Sequence, residues 1–142
     1  MRYCGRNSFV DGTEKGFLPL QPKKPKKALE LRQGEQEYAE LSKTKVDRFK
    51  EILSRAKSKG VKVVVVDSPI YMLCDVNNKS AMEMRKICKK YGVLFLNNSQ
   101  LPEFLEHKEF FNDLTHMNTI GAATYTEEFI NQIRGFGNIF DK

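Results

Sequence analysis

The chain has no apolar run approaching the roughly 20 residues of a membrane-spanning helix, so no membrane span is expected within its 142 residues. Its opening residues, Met1-Arg2-Tyr3-Cys4-Gly5-Arg6, lack the apolar centre of a secretory signal, and none is expected there. Cysteine occurs three times, at Cys4, Cys74 and Cys88, an odd number without metal-ligand spacing. These read as reduced thiols, in keeping with a reducing compartment or with a piece of something larger. Histidine occurs only at positions 107 and 116. Two such residues among scattered acids match no known ligand spacing, so neither a metal nor another cofactor is expected.

What is present is the composition of a globular domain, 40% hydrophobic and 30% charged. A chain of this length suits one domain with a modest core. The net charge of +6 is unevenly placed, because residues 1–34 carry eight Lys/Arg against three acids. Most of the excess is Lys23-Lys24-Pro25-Lys26-Lys27. Such a cluster attracts phosphate backbones or anionic headgroups; the plainer reading is a solvated linker interrupted by proline. No aromatic residues interleave the lysines for base stacking, and no nucleic-acid partner is expected.

Three regions follow. Residues 1–34 show no sustained period; Pro19, Pro22 and Pro25 keep the chain extended, and Phe17-Leu18-Pro19-Leu20 is an apolar patch expected to dock on the domain. Residues 35–135 carry the periodic elements. Tyr38, Leu41, Phe49, Ile52, Leu53 and Ala56 predict an amphipathic helix over 35–59, ended by Gly60. The β-branched run Val61–Val66 predicts a buried strand of parallel type, which Asp67-Ser68-Pro69 leaves at its C-terminal end. Ala81, Met84, Ile87, Cys88 and Tyr91 predict a second helix from Asn78, stopped by Gly92, and Val93–Leu96 a second strand. A short helix around 104–107 and a last helix over 119–134 complete the region, and residues 136–142 read as a loose tail. Two strands are few for a parallel sheet. An edge strand from residues 1–34, a missing N-terminal half or a second copy of the chain would complete it.

The chemistry concentrates in Asn112-Asp113-Leu114-Thr115-His116-Met117-Asn118 and the helix after it. An Asp and a His three apart on a loop can converge on one point. The carboxylate then holds the imidazole in one tautomer and stabilises the imidazolium formed when the ring takes a proton. The bland alternative is an Asp–His hydrogen bond that stiffens the approach to the helix. Asn118 reads as the N-cap of that helix, and Gly121 and Ala122 as small residues where its start packs against the sheet.

The pattern D-x-x-H-x-N-x-x-G-A-x-x-Y-T, from Asp113 to Thr126, resembles the last block of the SGNH (GDSL-like) hydrolases and acyltransferases. The resemblance is sharpest over about residues 110–134 and looser back to about residue 46. It implies an α/β class, a partial three-layer α/β/α arrangement like the C-terminal half of that flavodoxin-like fold. It also implies an esterase or O-acyltransferase acting on small-molecule or carbohydrate esters, with Asp113 as orienting carboxylate and His116 as general base. The family hints at the cell envelope, for which the chain carries no address. Its early G-D-S block has no match here. Ser68, in Val66-Asp67-Ser68, is the available nucleophile, but no Gly precedes Asp67, Pro69 follows, and in family-like topology this strand is the penultimate one. Its plainer role is a turn with Pro69, the hydroxyl bonding nearby backbone. Cys74 has no local activating pattern and reads as a small buried hydrophobe. His107, among Glu106, Lys108 and Glu109, reads as a solvated helix-end residue. The competing class is a binding or structural module that keeps the fold without the nucleophile and uses its basic N-terminal segment.

Overall fold

The computed structural model describes residues 19–23, 29–34 and 41–137. Helix α1 (Lys43–Ser58) leads into strand β1 (Val64–Asp67), helix α2 (Lys79–Tyr91) and strand β2 (Leu94–Asn97). A one-turn helix α3 (Pro102–Leu105), a 3-10 turn (Lys108–Phe110) and helix α4 (Thr119–Gly135) follow. β1 and β2 pair in parallel, Val64 opposite Leu94 and Asp67 opposite Asn97, with α2 as the crossover between them. The class is α/β, with a sheet of two strands among the described residues.

Glycine ends the first two helices, for a stated geometric reason. Gly60 and Gly92 have φ of 67° and 68°, left-handed values that an L side chain resists. That reversal lets Val61 N–H reach Ala56 O at 2.9 Å and Val93 N–H reach Cys88 O at 2.9 Å. Both are Schellman closures, which satisfy the last helical carbonyls. Asn78 caps α2, its side chain accepting from Ala81 N–H at 2.9 Å.

Several boundaries differ from expectation. α1 starts at Lys43, so Leu41 lies outside it, and residues 35–40 fall outside the described residues. β1 begins three residues later than the valine run, because pairing can start only opposite Leu94, just past the Gly92 turn. It is also less buried than a parallel strand with both faces covered, since Val66 is 37% exposed. The described part of residues 1–34 adds no strand to this sheet: Gln33 forms an isolated parallel bridge with Leu73. The short helix lies at Pro102–Leu105, two residues before its expected place, with Pro102 in the first turn where a missing N–H costs nothing. Phe17, Leu18, Lys24–Lys27 and most of the tail, 138–142, lie outside the described residues.

The core that matters for the site is aromatic. Tyr71, Phe104, Phe111 and Tyr125 are buried together, with Leu29, Leu101, Phe110, Leu114, Met117 and Phe129 packed around them. Phe104 meets Tyr125 edge-on at 5.7 Å between ring centres, and Tyr71 meets Phe111 at 5.6 Å. Each such burial contributes about 1.5–3 kcal/mol before entropy is subtracted. Leu114 and Met117 belong to the Asp–His loop, so that loop is fastened to this cluster from below. Among the described residues no helix is long and apolar enough to cross a membrane.

Candidate functional site

The loop from Phe111 to Met117 is closed at its neck. Phe111 and Met117 form an antiparallel bridge, Asn112 N–H donates to His116 O at 2.9 Å, and Asn118 N–H donates to Phe110 O at 2.8 Å. Inside the neck, Asp113 Oδ1 accepts from Thr115 N–H at 2.9 Å, His116 N–H at 2.9 Å and the Thr115 hydroxyl at 3.1 Å. This is the local turn that a short carboxylate side chain favours. It brings His116 Nδ1 to 2.9 Å from both Asp113 oxygens. An ionised carboxylate only accepts, so in the neutral ring this contact favours the tautomer with its proton on Nδ1 and Nε2 free to accept.

The carboxyl of Asp113 sits below its ordinary range. Partial burial pushes it up, but donors outweigh that: the Thr115 N–H first, then the His116 ring, the His116 N–H and the Thr115 hydroxyl. It therefore stays ionised wherever the ring needs it. The pair is open, with the side chains of His116 and Asp113 65% and 58% exposed. Water screens an interaction at that exposure. Orientation of the ring, rather than strength of attraction, is what the loop supplies.

Asn118 caps α4 as expected and does more. It is 2% exposed, accepts from Ile120 and Gly121 N–H at 3.0 Å each, and donates to Glu109 O at 2.7 Å. Gly121 is small for a different reason than expected. A Cβ there would lie 2.8 Å from Phe110 Cβ and 3.0 Å from its carbonyl carbon, so the helix start packs on the 3-10 turn and not on the sheet.

Ser68 is not joined to the pair. It is exposed, just past Asp67 at the end of β1, and its hydroxyl has no hydrogen-bond partner among the described residues, neither His116 nor the nearby backbone. The two loops are neighbours, since Tyr71 N–H donates to Leu114 O at 2.8 Å. Burial of the Asp67 carboxyl raises its pKa, although part of the residue faces solvent. Cys74 is half-buried; burial pushes its thiol up, a contact with Ser99 opposes this, and Asp67 and Asp75 add to it. A thiol raised in this way is a poor nucleophile at neutral pH. His107 is exposed, bonded to Glu109 at 2.7 Å and stacked on Phe110 with ring centres 5.0 Å apart. Among the described residues no group of three or more His, Cys, Asp or Glu is arranged to hold a metal ion.

Two features had no signal in the sequence pattern. Residues Asn97-Asn98-Ser99-Gln100 form a hydrogen-bonded polar cluster at the carboxyl end of β2, with Asn98 Nδ2 donating to Tyr125 OH at 3.1 Å and to Gln132 Oε1 at 2.8 Å. Asn112 ties the loop to a segment about 90 positions away, Lys23 N–H to Oδ1 at 3.1 Å and Nδ2 to Gln21 O at 3.0 Å. Comparisons with protein-family models, curated proteins and solved structures match nothing to this chain.

Proposed function

We propose that the chain carries the acid–base half of an SGNH-type ester hydrolase or O-acyltransferase, in a three-layer α/β/α setting. The observation that supports this is the Asp113 carboxylate 2.9 Å from His116 Nδ1, with Nε2 left to accept a proton. In this reading a serine Oγ attacks the carbonyl carbon of an O-acyl ester as Nε2 takes the hydroxyl proton. The tetrahedral intermediate collapses, Nε2 returns that proton to the departing alcohol, and an acyl-serine remains. Water or an acceptor alcohol, deprotonated by the same nitrogen, then attacks the acyl-serine. As that intermediate collapses, Nε2 returns the proton to the serine Oγ, freeing the acid or the new ester. Asp113 steadies the imidazolium at each transfer. Carbohydrate O-acyl esters are the substrate class that the resemblance suggests. The serine is Ser68, brought in by movement of its loop, or one supplied by a second copy or another polypeptide.

Fluorophosphonate labelling with peptide mapping tests this. A label on Ser68 that disappears in His116→Ala makes the chain a self-contained serine hydrolase. An unlabelled but folded chain locates the nucleophile elsewhere. The binding-module reading is favoured by one observation: among the described residues the hydroxyl bonded to His116 is that of Thr115, 3.2 Å from Nδ1, and no serine hydroxyl is. Salt-sensitive binding to a polyanion, lost when Lys23, Lys24, Lys26 and Lys27 are changed to Gln, would support that reading.

A further inference from the structure

We infer that Asn112 is a positioning residue for the Asp113–His116 pair, acting through the backbone of residues 20–23; this rests on the acid–base reading above. Both ends of its amide are used, Oδ1 on Lys23 N–H at 3.1 Å and Nδ2 on Gln21 O at 3.0 Å. These are the carbonyl and N–H on either side of Pro22, the pair that one residue of a parallel strand bonds on its neighbour. Pro22 has no N–H of its own to compete. Leu20 O adds a third tie, accepting from Thr119 N–H at 2.9 Å. One extended segment thus holds the chain immediately before Asp113 and again after the α4 cap.

The coupling to the imidazole is short. The backbone N–H of Asn112 donates to His116 O at 2.9 Å, so one residue links the distant segment to the residue bearing the ring. With 65% of the His116 side chain exposed, little else packs against the ring to fix it, and the loop backbone sets its aim. Alanine at 112 removes both bonds and aspartate removes the donor. Glutamine has both groups, one methylene too far out.

The test uses the full chain, with Asn112→Ala and, from the other side, Lys23→Pro, which deletes the N–H donor while also removing the lysine side chain and fixing φ there. The readout is ring ¹⁵N NMR at about pH 9, well above the ordinary histidine range. The wild-type ring is expected to carry its proton on Nδ1. In either variant the population moves to the Nε2–H form while backbone amide signals of β1 and β2 stay in place, and fluorophosphonate labelling or ester hydrolysis slows about tenfold or more. A folded variant with the wild-type tautomer overturns the inference, as does a wild-type ring already protonated on Nε2. Unfolding of both variants makes the tie a global stability element and also overturns it. A tautomer that shifts as expected in a chain without hydrolytic activity supports the positioning role and sinks the hydrolytic reading instead.

Discussion

Gly121→Ala separates two physical expectations of opposite sign. Alanine is the better helix former by about 1 kcal/mol in a helix interior, so on propensity alone the change should stabilise α4 or leave it unaffected. The structure says otherwise. The new methyl would meet Phe110 Cβ at 2.8 Å and its carbonyl carbon at 3.0 Å, and these are atoms that no rotamer change can move. Phe110 is held on its other sides, by Phe104 at 5.6 Å and His107 at 5.0 Å between ring centres. Its carbonyl also accepts from Asn118 N–H at 2.8 Å, a bond that any retreat would stretch. Overpacking of this kind costs about 1–3 kcal/mol and more where backbone must shift. After the propensity gain, a net loss of about 2 kcal/mol is expected, or a Tm lower by about 4–8 °C for a domain of this size. Thermal melting followed by far-ultraviolet circular dichroism reads it directly. A Tm equal to or above wild type would refute the close approach of α4 to the 3-10 turn.

Further expectations follow from the same loop. Asn118→Ala removes a cap worth about 0.5–2 kcal/mol and strands the Glu109 carbonyl; a urea midpoint as high as wild type would show that cap to be dispensable. Asp113 has a lowered native pKa, so its contribution to stability is complete above its unfolded value near 4 and is lost as pH falls through the lower native one. The stability gap between wild type and Asp113→Asn, measured by denaturant melts, should therefore close on acidification; a gap that widens instead contradicts the hydrogen-bonded carboxylate.

The coarse α/β order was legible because local chemistry dictates it. Gly60 and Gly92 stop helices through their own dihedrals, Asn78 and Asn118 cap through their own side chains, and Asp113 meets His116 within three positions. Strand length was not legible, since the valine run starts at Val61, three residues before a partner exists, and pairing waits for Leu94. The aromatic cluster takes Tyr71, Phe104, Phe111 and Tyr125 from four separate segments, with no common period to reveal them. The bonds from Asn112 to Gln21 and Lys23 leave no trace at all in local pattern. Ser68 draws the eye because Asp-Ser after a strand imitates a known block; among the described residues its exposed hydroxyl is bonded to neither Asp113 nor His116.

The Asp–His contact itself is local, but the frame around it is closed by hydrogen bonds spanning 89 and 91 positions. Closing so long a loop is slow, because chain entropy must be given up before any contact rewards it. A protease cut in a connection between elements from Lys23 to Asn112 would turn an intramolecular tie into an association between two fragments. The fixing of the Asp113–His116 loop by that segment would then depend on protein concentration, which a loop held by local contacts alone would never do.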